Sequence, residues 1–245
     1  MRPALAMASA EAVGAEALSV LDAGCAIEFV HCFSLIHDDL PAIDNDDLRR
    51  GLPTCHKAFG EAVAILAGDA LFALAFDTIA RGPWHPERSV KAVASLTRST
   101  GTYGLVGGET LDILSEGKPV DAETLKLIHE RKTGALIAAS CEIGALLGGA
   151  DDAQCSRLYE YGACVGLAFQ IADDLLNETS TPEQLGKAAG SDRERGKATY
   201  PALIGMEASR RAAFDAVARG IDCLEGISHP EFLEDIARYS VERLH

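Results

Sequence analysis

Aromatic side chains are scarce in this 245-residue chain, at 6% with a single tryptophan. Valine, isoleucine and threonine are outweighed by alanine and leucine, and no segment shows clear apolar–polar alternation. Both absences argue against a β-sheet and for helices. Positive charge is also in short supply. With 22 lysines and arginines against 37 acids, the net charge is −15, which excludes the electrostatic footprint of a nucleic-acid binder. The seven cysteines form no C-x-x-C pair and follow no regular spacing, which excludes the common zinc patterns and a disulfide framework. Their apolar neighbours predict buried free thiols in a reducing compartment. The best apolar run, Ala62 to Phe76, is interrupted by Asp69 and falls short of a membrane span. Residues 1–10 resemble a signal peptide only in Ala8-Ser9-Ala10; the apolar stretch is too short, and the pattern is expected to run on into a longer helix.

What is present is helical periodicity. Leu18, Leu21, Cys25, Phe29, Cys32 and Ile36 recur at gaps of three and four, predicting a helix buried on one face and stopped by Pro41 soon after Asp39. A polar loop to about Ala58 is expected next. Further helices are expected over about Gly60–Ala80, Ser89–Gly101, Leu105–Ser115, Ala122–Gly148 and Asp152–Leu176, then from Tyr200 onward beyond a glycine-bearing loop. The economical architecture is one all-α domain over residues 1–245.

Two aspartate-rich segments stand at the ends of these apolar helices. The first runs Asp38-Asp39-Leu40-Pro41-Ala42-Ile43-Asp44 and continues to Leu48-Arg49-Arg50-Gly51. Asp38 and Asp44 would not share a face of a straight helix, but the break at Pro41 lets the loop curl Asp44 back towards Asp38. In the second, Gln170, Asp173, Asp174 and Asn177 fall at i, i+3, i+4 and i+7, one polar stripe expected to face a wet cavity, opposite Leu158, Val165, Phe169 and Leu176. Carboxylates where a buried helix meets solvent are costly unless a cation binds them. Oxygen donors without histidine or cysteine suit magnesium, which shares its shell with water and phosphate. One acidic turn alone reads as a solvated cap, and Asp44–Arg49 lacks the glycine and the oxygen ligand of a calcium loop. Two such clusters, one followed by Arg49-Arg50, point to a metal–diphosphate site. Lys132-Thr133, Lys187 and Lys197 supply further cations and a hydroxyl near the acidic segments.

These residues resemble the polyprenyl synthetase family, the trans-isoprenyl diphosphate synthases. The resemblance rests on D-D-x-x-x-x-D followed by L-R-R-G, on Pro53-Thr54-Cys55-His56 through Gly60, and on Leu66-Ala67-Gly68-Asp69. It extends to Lys132-Thr133-Gly134, Phe169-Gln170 with Asp173-Asp174, Leu185-Gly186-Lys187, and Lys197-Ala198-Thr199-Tyr200-Pro201. It implies antiparallel helices around a deep central cavity, a homodimer, and condensation of an allylic diphosphate with isopentenyl diphosphate. By the same resemblance, Asp38, Asp39, Asp44, Asp173 and Asp174 would hold three magnesium ions on the allylic diphosphate, aided by Arg49, Lys132, Thr133, Lys187 and Lys197. Gln170 would stand near the developing carbocation. Arg2, His31 and Arg50 would bind isopentenyl diphosphate. Bulk before the first motif would set chain length, which makes Phe33 and Ser34 the candidates; a floor at Phe33 makes farnesyl diphosphate the expected product, with geranylgeranyl diphosphate the alternative because small Ser34 and Cys32 leave room. The expected location is cytoplasmic, or the plastid if the source is photosynthetic and a transit peptide has been removed.

The sequence departs from the family pattern in three places. The Gly-Lys pair and helix usual before Arg2 do not stand in this sequence, which is expected to weaken the isopentenyl site. Asn177 replaces an aspartate, and Glu109 in Gly107-Gly108-Glu109 replaces a glutamine. Two other readings compete: a class I terpene cyclase, which would not need Arg2, His31 and Arg50, and a non-catalytic subunit that modulates a partner synthase.

Overall fold

The computed structural model describes residues 1–179 and 198–242. Among them the chain is helical apart from one small hairpin. The helices are α1 (Arg2–Ala12), α2 (Leu21–Asp38), α3 (Cys55–Phe59), α4 (Glu61–Arg81), α5 (Pro86–Thr100), α6 (Leu105–Ser115), α7 (Ala122–His129), α8 (Ala135–Gly148) and α9 (Asp152–Thr179). The chain then continues through α10 (Tyr200–Ile204), α11 (Met206–Cys223) and α12 (Glu231–Glu242).

The centre of the bundle is α8. From Ala135 to Leu147 every residue but Glu142 is buried, so this helix is surrounded on nearly all sides. Helices α1, α5 and α9 pack around it, while α2 pairs with α4 and α9 with α11. Arg88 on α5 caps the open end of α8, donating to the carbonyls of Leu146 and, at 3.1 Å, Gly149. Tyr161 on α9 is fully buried and donates its hydroxyl to the Leu233 carbonyl at 2.6 Å, tying α12 to the core.

Four features differ from the sequence expectation. The N-terminal helix does not run on: it ends at Ala12, and Gly14 at φ 91° turns the chain into a 3-10 turn over Ala17–Val20 before α2. The expected polar loop contains a hairpin, Leu48–Arg49 against Leu52–Pro53, closed by Arg50 (φ 54°) and Gly51 (φ 78°). Two successive positive φ values form the tight turn that matches strand twist. The expected helix Ala122–Gly148 is interrupted by a π-helical turn, Glu130–Gly134. Finally, Ala17–Asp38 and Glu61–Arg81 are long and apolar enough to match a membrane span by length and composition, although the interrupted run at Asp69 argued otherwise. These two stretches are paired with each other in the bundle as α2 and α4.

All seven cysteines are free, as expected, but only Cys141 and Cys155 are buried; the other five are half-buried at the edges of helix contacts.

Candidate active site

The C-terminal end of α2 carries the first acidic cluster. Pro41 breaks the helix, and the loop returns so that the Asp44 N–H donates to the Asp38 carbonyl at 2.8 Å. The expected curl is present. Asp39 is buried and is gripped by Arg49, whose Nε stands 2.9 Å from both carboxylate oxygens and whose Nη2 stands 2.6 Å from Oδ1. That pairing raises the Arg49 guanidinium above its ordinary value, and the hairpin strand Leu48–Arg49 carries it. Asp38 is half-buried. Its carboxyl is raised to about 7, first by burial and then by Glu109 and Asp44, with Lys132 and Arg49 working against them.

The π turn places Lys132 and Thr133 between α6 and α9. Lys132 Nζ lies 2.6 Å from Glu109 Oε2 and 2.6 Å from Asp112 Oδ2, both on α6. Burial alone would lower this ammonium, but the two carboxylates hold it above the ordinary lysine value. Thr133 donates to Gln170 Oε1 at 2.9 Å, and Gln170 Nε2 donates to Asp174 Oδ1 at 3.3 Å. The approach of α9 depends on Gly166, where an added Cβ would stand 2.8 Å from Gly134 Cα. One turn further along α9, Gln170 therefore reaches Thr133.

The second acidic segment divides. Gln170 and Asp173 are half-buried, whereas Asp174 and Asn177 are buried. The start of α10 covers the buried pair: the Tyr200 N–H donates to Asp174 Oδ2 at 2.9 Å, and His129 Nε2 lies 3.8 Å from the same oxygen. His129 stacks on Tyr200 with ring centroids 5.5 Å apart and is lowered to about 4, chiefly by burial. The expected wet stripe is thus half packed. No side-chain pattern announced this, because the Tyr200 donor is a backbone group.

The cationic group lies two turns back along α2, near the middle of the helix. His31 is lowered to about 3, first by burial and then by Arg2, Arg50 and Arg49, so it is a neutral imidazole among guanidinium groups. The three residues expected to act together, Arg2, His31 and Arg50, therefore share one field. Arg2 is lowered to about 10 by burial, partly offset by Glu28, and its enclosed Nε has no hydrogen-bond partner. An orphaned buried donor beside a second and third arginine is an anion site in outline. His31 and Asp38 lie seven residues apart on α2, so the two groups are separated by about 10 Å along the axis.

Phe33 is half-buried in an aromatic row, edge-on to His37 at 4.9 Å and to Phe72 of α4 at 5.1 Å, with Phe76 next. Ser34 is buried and donates to the His31 carbonyl at 3.0 Å. Lys187 and Lys197 lie outside the described residues. Sequence reasoning missed Asp112, His129 and Tyr200 and gave Glu109 no role. The i, i+3 spacing of Glu109 and Asp112 on one helix face was the available signal.

Among the described residues no three His, Cys, Asp or Glu side chains converge closely enough to cage an ion alone. The oxygen donors still fit magnesium, which keeps waters and binds through one or two carboxylates plus substrate phosphate.

The polyprenyl synthetase family model matches residues 1–223. Over 213 residues the chain is 48% identical to geranylgeranyl pyrophosphate synthase 4 of Arabidopsis thaliana, covering 86% of this chain and 57% of that protein. The chain thus spans less than three fifths of that curated relative. Among solved structures it is similar to an FPP/GFPP synthase from Zymomonas mobilis, with a TM-score of 0.87 at 39% identity, covering 98% of this chain and 82% of that one. It is also similar to a geranyltransferase from Helicobacter pylori solved with magnesium and isoprenyl diphosphate, with a TM-score of 0.86 at 30% identity, covering 99% and 82% respectively. Family model, identity and fold agree with the motifs and with the geometry built from them: this chain belongs to the polyprenyl synthetase family.

Proposed function

We propose that the chain, as one all-α domain over residues 1–245, condenses an allylic diphosphate head-to-tail with isopentenyl diphosphate. The observation that carries this reading is the placement of two opposite diphosphate chemistries on one helix: carboxylates at Asp38 and a metal-independent cationic group around His31. A terpene cyclase has no use for the second.

Asp38 and Asp173, both half-buried, are the carboxylates best placed to reach magnesium; Asp39, Asp44 and Asp174 complete the set, and three ions are the expected number. Magnesium, when bound, neutralises the charge that builds on the departing diphosphate. Lys132 and Thr133 orient that diphosphate, Arg49 steadies Asp39, and Lys187 and Lys197 add charge. Arg2, His31 and Arg50 hold isopentenyl diphosphate so that its double bond attacks the allylic carbon as the C–O bond breaks. Gln170, fixed by Thr133, presents its amide to the developing positive charge. The proton lost from the new chain passes to the released diphosphate.

For product length, the name of the Arabidopsis relative favours geranylgeranyl diphosphate. A second reading, farnesyl diphosphate, is favoured by the aromatic row at Phe33. Pairing as a homodimer is supported by α4, where Val63, Ile65, Leu66 and Leu74 expose apolar surface. Plastid location gains support from relatives named as chloroplastic.

The test is incubation with magnesium, isopentenyl diphosphate, and dimethylallyl or geranyl diphosphate, followed by mass analysis. Consumption of isopentenyl diphosphate into a longer diphosphate supports the reading. A cyclised product formed without isopentenyl diphosphate overturns it.

A further inference from the structure

The segment Pro53-Thr54-Cys55-His56 has no part in the chemistry described so far, and it stands at the foot of the hairpin that carries Arg49. That hairpin has little of its own to hold it. Each strand is two residues long, Pro53 brings no N–H, and Leu48 and Leu52 are both exposed. Its order comes from below. Thr54 is buried at the N-cap of α3, a position where a threonine hydroxyl ordinarily accepts from the helix, yet it makes no such cap. The hydroxyl instead donates to the Asp46 carbonyl at 2.8 Å, and the Thr54 N–H donates to the Asp47 carbonyl at 3.0 Å. One residue thus ties down the two carbonyls that lead into strand Leu48–Arg49.

The buried His56 completes the tie. Its Nδ1 lies 3.1 Å from Thr54 Oγ1, and the single proton on that hydroxyl is already given to Asp46. Nδ1 is therefore the donor, which in the neutral ring leaves Nε2 a bare acceptor. Nε2 is enclosed and has no hydrogen-bond partner among the described residues. Burying an acceptor in this way costs stability, so the contribution of His56 is made at Nδ1, in aiming the Thr54 hydroxyl.

We propose that Thr54 and His56 are positioning residues of the first acidic cluster: they latch the base of the hairpin so that Arg49 is held on Asp39 before substrate arrives. The grip of Arg49 on Asp39 uses three short contacts, at 2.9, 2.9 and 2.6 Å, and so demands a guanidinium fixed in place and in angle. A marginal hairpin does not supply that; a threonine bonded through both its hydroxyl and its N–H, with the hydroxyl aimed by an imidazole, does. The proposal rests on the prenyl-transfer reading for its kinetic half and on hydrogen-bond geometry alone for the latch.

The test compares Thr54→Val with Thr54→Ser, and His56→Gln with His56→Asn, each checked for native helicity and thermal midpoint. Serine keeps the hydroxyl. Asparagine puts its amide nitrogen where Nδ1 stands, whereas glutamine reaches only the Nε2 position. The first readout needs no substrate: trypsin cleavage after Arg49 and Arg50, followed by mass analysis. Thr54→Val and His56→Gln are expected to be cut about three- to tenfold faster, the value of one hydrogen bond when cleavage tracks the population of the open hairpin. Thr54→Ser and His56→Asn should stay near wild type. The second readout is kinetic. Thr54→Val lowers kcat/KM for the allylic diphosphate by about three- to tenfold, and in an Arg49→Gln background the same change has little further effect. Equal cleavage rates across the folded variants overturn the proposal, as does full additivity of Thr54→Val with Arg49→Gln, or rescue by glutamine rather than asparagine. Where Thr54→Val fails to fold, the His56 pair decides. If the wild type fails to consume isopentenyl diphosphate, the prenyl-transfer reading falls and the cleavage rates still decide whether the latch exists.

Discussion

Two levels of α2, two turns apart, solve the same problem in opposite ways. At the C-terminal end, burial and neighbouring acids make the Asp38 carboxylate unfavourable, so a bound cation would favour its charged form. Two turns back along the helix, Arg2, Arg50 and the neutral His31 form a group that can take an anion directly. On the proposed reading, one helix keeps two diphosphates apart by chemistry as well as by distance. On that reading the acidic group depends on metal and generates the electrophile, and the cationic group has only to hold and aim.

Replacing the half-buried carboxylates breaks the contrast most severely. Asp38→Ala and Asp173→Ala are each expected to lower kcat by about a hundredfold or more with the fold retained, since they remove charge stabilisation rather than packing. Steady-state rates at saturating magnesium, with circular dichroism as the control, measure this, and near-normal rates in both would contradict the metal assignment. At the cationic level, Arg2→Ala is expected to raise the KM for isopentenyl diphosphate about ten- to a hundredfold, the value of one charge-assisted hydrogen bond. Its magnesium dependence should stay put; a changed magnesium requirement would merge the two levels into one site.

A subtler separation comes from pH. Asp38 sits at about 7 in the fold against an ordinary 3.8, so its contribution to stability is complete below about 3.8 and is lost as pH rises towards 7. His31 sits at about 3 against 6.5, so its contribution is complete above about 6.5 and is lost as pH falls towards 3. Thermal midpoints of metal-free protein should therefore rise on the alkaline side for Asp38→Asn and on the acid side for His31→Gln, relative to wild type. Shifts on the same side would sink the contrast. The smallest effect on rate is expected from Phe33→Ala, which should leave turnover near wild type and lengthen the product by one isoprene unit. An unchanged product distribution would move the floor away from the aromatic row.

Much of this was legible because it depends on local chemistry. Helical periodicity gave nearly every helix, and Pro41 announced the return of Asp44 towards Asp38. The pairing of Arg49 with Asp39 was not legible, because it depends on a hairpin whose two-residue strands are too short to alternate. The π turn left no trace, since a five-residue hydrogen-bond step has no sequence period of its own. The face of Gln170, Asp173, Asp174 and Asn177 was read correctly as a face, but its solvation was not. A backbone N–H from Tyr200, 26 residues beyond Asp174, buries one half of it. Glu109 and Asp112 were visible as neighbours on α6, while their shared lysine lies on another helix and is found only by folding.

The widened turn at Glu130–Gly134 works as a phase shifter. Each residue along an α-helix advances the direction of its side chains by about 100°, so the extra residue accommodated there lets α7 and α8 aim their faces independently. Upstream, His129 can lean on Tyr200 while downstream α8 keeps almost every residue buried inside the bundle. Excising a single residue from that turn would return the helix to regular geometry and rotate α7 against α8. Leu125 and Ile128, buried on α7, would turn with it, so the polar turn and the packing beneath it are set together.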